Sequence, residues 1–129
     1  METFLGKVRK GLGFESQEAK IAKLINAIRS IGPASQLVKE KGDNVASYNE
    51  VDLKLIAGEV VKLGRSTSAW ILSSEKLAAK LKEAVTPEDI ENLKLLHRAF
   101  ENKELASKLL SMKTFVNSGV IGQILHIVS

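Results

Sequence analysis

Residues 86–100 read Thr86-Pro87-Glu88-Asp89-Ile90-Glu91-Asn92-Leu93-Lys94-Leu95-Leu96-His97-Arg98-Ala99-Phe100, and this stretch decides the fold. Threonine is a preferred N-cap because its hydroxyl satisfies a backbone N–H that the first helical turn leaves open. Proline at the first helical position loses no hydrogen bond and brings a preset φ. Two acids then sit where the helix dipole favours negative charge. Ile90, Leu93, Leu96, His97 and Phe100 recur at three- and four-residue spacings, so they share one helical face. The segment predicts an amphipathic helix with a defined start.

The same period extends in both directions. After Asn102, Leu105, Leu109 and Met112 continue a helical pattern to about residue 112, and 114–118 read as a turn. Val120, Ile121, Ile124, Leu125 and Val128 predict a short apolar helix after it. Upstream, 74–85 carry Leu77, Ala78, Leu81 and Val85 inward. Residues 65–74, with Trp70-Ile71-Leu72, fit a helical turn better than a strand, because no partner strand is evident. Ser47-Tyr48-Asn49-Glu50 matches a capping box. It introduces a helix over 48–63 with Leu53, Ile56, Ala57, Val60 and Leu63 on one face. Val51, Leu55 and Val61 widen that face and predict a well-buried helix, which Gly64 ends or bends. Ser16 caps a helix over 16–31 with Ile21, Leu24, Ile25, Ile28 and Ile31 inward. Gly32 is expected as its C-cap, and Pro33 opens a short helix over 33–41.

No alternating strand pattern interrupts this series. The expectation is all-α: a compact bundle of five to seven short-to-medium helices over 16–129, preceded by a basic amphipathic arm over 1–15. A chain of 129 residues suits one domain and buries enough surface to fold without covalent staples. Cysteine is absent, which excludes disulfides, thiolate nucleophiles and Cys-ligated zinc or iron–sulfur centres.

Charge is unevenly placed. Residues 1–42 hold eight cations and four acids, which alone accounts for the chain's +4. Lys7, Arg9, Lys10, Lys20, Lys23 and Arg29 are the candidate contacts for an anion or a nucleic-acid backbone. A helix-turn-helix reading would use 16–31 and 33–41, with Ser35, Gln36, Lys39 and Lys41 on the second helix. Lysine outnumbers arginine fifteen to four, which disfavours bidentate reading of bases. In the arm, Phe4, Leu5, Val8 and Leu12 share one face, while Gly6, Gly11 and Gly13 weaken an isolated helix. That face suits a partner subunit, the protein's own core or a membrane surface. No stretch reaches the roughly 18 apolar residues of a membrane span, and the start lacks a signal-peptide pattern, so an intracellular location is expected.

Chemistry-bearing motifs are missing. Gly6-Lys7 and Gly64-Arg65-Ser66 are fragments of a phosphate loop, and Gly11-Leu12-Gly13 lacks the third glycine of a dinucleotide site. His97 and His126 are the two histidines. Neither has a ligand partner at zinc spacing, and a structural role is expected for His97. Glu101 and Glu104 lie one turn apart without the Glu-x-x-His of a di-iron bundle. A lysine or Tyr48 as a catalytic group depends on burial. The expectation is therefore a non-catalytic protein without metal, cofactor or small-molecule substrate.

Both ends are apolar, and the last sixteen residues carry no formal side-chain charge. Phe4, Leu5, Val8, Leu12, Phe115, Val120, Ile121, Ile124 and Leu125 are thus candidates for a subunit interface, with the protein's own core as the competing destination. The leading expectation is an interaction or assembly subunit, oligomeric through protein–protein contacts. The first alternative is a helical accessory or coat-type protein lying along nucleic acid through its Lys-rich N-terminal third. The second is a peripheral membrane protein.

Overall fold

The computed structural model describes residues 16–67, 73–112 and 116–129. Among them every regular element is helical: α1 (Gln17–Arg29), α2 (Gly32–Lys41), a 3-10 turn (Val45–Ser47), α3 (Glu50–Ser66), α4 (Glu75–Ala84), α5 (Pro87–Glu101), α6 (Lys103–Leu110) and α7 (Gly119–Val128). The chain is the compact helical bundle its periodicity predicts. The arm expected over 1–15, Trp70-Ile71-Leu72 and Phe115 lie outside the described residues.

Helices α3 and α5 are the two long faces of the bundle. Each packs against α1, α2, α6 and α7, and the pairing of α2 with α5 is the most extensive. Helix α4 closes one side by packing on α1 and α7. Apolar side chains from the seven described helices meet between these faces. Leu24, Ile28, Ile31, Ile56, Leu63, Leu81, Leu93, Leu96, Leu105, Leu109 and Ile121 are fully buried. Each such aliphatic side chain contributes roughly 1.5–3 kcal/mol of transfer free energy, which offsets the ordering entropy of the chain. Ile21 and Leu77 form a smaller cluster where α1 meets α4.

Local chemistry sets the helix boundaries. At α5, the Asp89 N–H donates to Thr86 Oγ1 at 3.1 Å, and the Thr86 N–H donates back to Asp89 Oδ2 at 3.0 Å. The start read from sequence is correct, and Asp89 completes it as a reciprocal cap. Ser16 Oγ caps α1 by accepting from the Ala19 N–H at 3.1 Å.

Three boundaries differ from expectation. The cap of α3 is Asn49, whose Oδ1 accepts from the Asp52 N–H at 2.9 Å, while Asp52 reaches back to the Asn49 N–H. Ser47 ends the preceding 3-10 turn instead, donating to Asn44 O at 2.6 Å. Two overlapping cap patterns competed, and burial of Tyr48 in extended backbone favours the later one. Gly32 is not a left-handed cap. Helix α1 ends through Ser30, whose hydroxyl donates to Ala27 O at 2.8 Å, and Gly42 is the one described residue with positive φ. Gly64 does not end α3, which continues to Ser66.

The largest correction concerns α3. Ile56, Ala57, Val60 and Leu63 face the core as expected. Leu55 and Val61 broaden that face as expected, half-buried against the core, but Val51 does not: it is 74% exposed. The helix therefore has an open outer side.

Candidate functional site

A cluster of polar contacts lies where α2, the loop after it, the start of α3 and the end of α5 converge. The positive φ of Gly42 reverses the chain after α2, a turn that glycine makes without steric cost. This brings Tyr48 back under Lys41. The Tyr48 hydroxyl donates to Gly42 O at 2.7 Å, and the Lys41 ammonium stands 5.9 Å from the ring centroid. Lys41 also donates to Ser47 O at 2.8 Å and forms an ion pair with Asp52. One lysine thus ties together loop backbone, an aromatic face and the cap of α3.

The electrostatics follow from these contacts. Burial pushes the Tyr48 phenol above its ordinary value, the carboxylates of Asp43 and Asp52 push the same way, and Arg98 opposes them. The Lys41 hydrogen bond holds the Asp52 carboxyl below its ordinary value, and burial opposes this shift. A phenol kept protonated and engaged with a backbone carbonyl is a poor general base or nucleophile. Tyr48 therefore acts as a brace.

Beside this brace lies an open cavity of about 330 Å³ lined by Asp43, Arg98, Glu101 and Asn102. Two carboxylates flank one guanidinium, so the lining carries mixed charge. Asn102 Oδ1 is engaged as the cap of α6, accepting from the Leu105 N–H at 3.1 Å. Glu101 Oε1 lies 3.3 Å from His97 Nδ1, one turn away on α5. His97 Nε2 lies against Gly122 of α7, where an added Cβ would sit 3.7 Å away. The His97 side chain is 40% exposed. Glu104 lies on α6 rather than α5, so the Glu101–Glu104 spacing does not describe one helix turn.

Among the described residues, no group of three or more His, Cys, Asp or Glu side chains is placed to hold a metal ion. No described helix is long and apolar enough to cross a membrane.

The basic candidates of α1 do not share a single stripe. Lys20 and Lys23 lie one turn apart. Arg29 is nine residues beyond Lys20, about half a helical rotation away. Its guanidinium donates to Ala84 O at 3.4 Å, the end of α4. Lys7, Arg9 and Lys10 lie outside the described residues. Of the α2 residues that a helix-turn-helix reading would use, Gln36 and Lys39 are exposed, while Ser35 and Lys41 are engaged within the fold. Ser35 is fully buried and donates to Asn92 O at 2.8 Å, and Lys41 is held by Asp52 and Ser47. Gln36 donates to Glu40 at 3.2 Å.

The C-terminal interface candidates are likewise placed inward. Val120, Ile121 and Ile124 are buried in the chain's own core, and Leu125 packs half-buried against it. Helix α7 is apolar because α3, α4 and α5 all contact it. Phe4, Leu5, Val8, Leu12 and Phe115 lie outside the described residues.

Among the described residues, the exposed large aliphatic side chains are elsewhere, at positions sequence reading had assigned to the interior or left unassigned. Val51 on α3 is 74% exposed and Leu110 on α6 is 57% exposed. The signal for Val51 was its position: it falls more than 120° from the centre of the Ile56–Val60–Leu63 stripe at about 100° per residue. Compared with protein-family models, with curated proteins and with solved structures, the chain finds no match.

Proposed function

We propose that this protein is a non-catalytic helical interaction subunit that works through protein–protein contacts. The observation supporting this reading is the outer side of α3, where Val51 stands 74% exposed on an ordered, capped helix. Val51 presents its apolar surface to solvent there. A partner that covers it gains apolar burial. The polar groups that invite chemistry at the α2–α3 corner already serve the fold. Tyr48 is hydrogen-bonded to backbone, and Asp52 is paired with Lys41.

The test is the light-scattering mass of the purified full chain at low and high salt, with and without a generic oligonucleotide. The expected result is mass above the monomer, rising with protein concentration and indifferent to the oligonucleotide. A monomer that gains mass only with the oligonucleotide at low salt overturns this reading. It would transfer the function to the Lys-rich N-terminal third, because phosphate contacts weaken steeply with salt.

A further inference from the structure

Tertiary packing gathers basic residues that the sequence scatters. On α1, Lys20, Lys23, Ala27 and Ser30 recur at three- and four-residue spacings, so they form one line along the helix. That line borders α3, because Ser30 Oγ lies 3.1 Å from Glu59 Oε2. Glu59 also pairs with the Lys62 ammonium at 3.2 Å, and Arg65 follows Lys62 by three residues on α3. The opposite border of α1 meets α4. There Arg29 donates to Ala84 O, and Lys80 pairs with Glu18 at 3.5 Å. Ala22 and Asn26 are exposed on the ridge of α1 between the two borders.

Six cations, Lys20, Lys23, Arg29, Lys62, Arg65 and Lys80, therefore surround this ridge, with two carboxylates, Glu18 and Glu59, among them. The excess of four equals the net charge of the whole chain, so all its other charged side chains cancel. Burial sharpens the imbalance. The Glu59 side chain is 10% exposed and that of Lys62 is 60% exposed, so their pair turns its positive end to solvent. Lys23, Arg29 and Arg65 are exposed as well. One side of the bundle is thus positive and the remainder is balanced, which gives the surface a directed field. The same side of a second copy is repelled by it.

We propose that this side of α1, together with the C-terminal half of α3 and Lys80 of α4, receives an acidic surface of a protein partner. This names the partner for the protein–protein reading above and rests on it. Charge complementarity supplies the attraction and the orientation, since opposed potentials steer encounter and penalise wrong partners. Val51 favours protein over nucleic acid as the source of that negative charge. It lies eleven residues before Lys62, about three turns along the same side of α3. An acidic segment that also carries an apolar side chain covers Val51 while its carboxylates meet Lys62 and Arg65. A phosphate backbone meets the cations and gains nothing from the valine.

The experiment is fluorescence anisotropy of two labelled probes titrated with the full chain over a salt series, with thermal unfolding run on every variant. One probe is a synthetic glutamate-rich peptide with a leucine in each heptad, and the other is a single-stranded oligonucleotide of equal charge. The peptide is expected to bind more tightly than the oligonucleotide, with an affinity that falls as salt screens the charges. Combining Lys23→Gln, Arg29→Gln and Arg65→Gln should weaken peptide binding about fivefold or more. Combining Lys39→Gln, Lys94→Gln and Lys108→Gln removes the same charge from α2, α5 and α6 and should change it less than about twofold. Equal losses in the two triple variants overturn the proposal, because the attraction is then that of net charge alone. Tighter binding of the oligonucleotide, lost with Lys23, Arg29 and Arg65, overturns it in favour of nucleic acid. A peptide that fails to bind even at low salt also overturns it, while the light-scattering mass of the chain alone still decides the broader protein–protein reading.

Discussion

Lys41 at the end of α2 and Asp52 in the first turn of α3 form an ion pair across an eleven-residue separation, and the same ammonium stands over the Tyr48 ring. The pair fixes where α3 begins relative to α2. It therefore sets the register of the face that points to solvent.

Acid should undo this brace in a defined direction. The folded Asp52 carboxyl lies below its ordinary value, with the Lys41 hydrogen bond as the largest cause. As pH falls, the unfolded chain takes up the proton first. The contribution is complete above about pH 4 and is lost as pH drops from there through the folded value. Asp52→Asn is expected to be less stable than wild type at neutral pH, with the difference shrinking in acid. Urea unfolding across a pH series measures this. A gap that stays constant into acid would show that the charge is not its source.

Tyr48 predicts the opposite limb. Its folded phenol lies above the ordinary value, chiefly through burial. The unfolded chain therefore ionises first as pH rises, and stability falls from about pH 10 upward through the folded value. Tyr48→Phe is expected to lower stability by about 1 kcal/mol at neutral pH, from the lost bond to Gly42 O. It should also flatten the alkaline decline, which denaturant titration at high pH reads directly.

Ser35 joins α2 to α5 from a fully buried position, donating to Asn92 O at 2.8 Å. Ser35→Ala is expected to cost about 1–2 kcal/mol. Ser35→Leu should cost more, because the close α2–α5 contact leaves no room for three added carbons. Equilibrium unfolding checks both, and a neutral Ser35→Leu would contradict the observed packing.

Ile121 distinguishes core from interface. It is fully buried in α7, so Ile121→Ala should destabilise the monomer by about 2–5 kcal/mol. The expected signature is a lowered unfolding midpoint in dilute solution. A normal midpoint with altered oligomeric mass would return the C-terminal residues to an interface.

Gly64 lies inside α3 with no positive φ, and among the described residues nothing outside its own helix backbone lies within 4 Å of an added Cβ. Gly64→Ala is therefore expected to stabilise the chain by about 0.5–1 kcal/mol, by restricting the unfolded state and favouring helix. Thermal unfolding in dilute solution tests it.

The all-helical class and the strongest helix start were legible in the sequence because both rest on local chemistry. A Thr-Pro-Glu-Asp start depends on groups within one turn, and a period near 3.6 reports which side of a helix avoids water. The same reasoning placed Ile56, Val60, Leu63, Leu93 and Leu96 inward. Tertiary structure decided what local chemistry leaves open. Asn49 and Ser47 are both good caps, and the extended, buried Tyr48 between them selected Asn49. Val120, Ile121 and Ile124 are equally apolar in a core or an interface, and contact with α3, α4 and α5 made them core. Val51 and Leu55 sit on a helix apolar around much of its circumference, where sequence cannot say how many neighbours will arrive. Packing covered one side of α3 and left Val51 in solvent, because burial depends on the arrangement of distant segments and not on the residue itself.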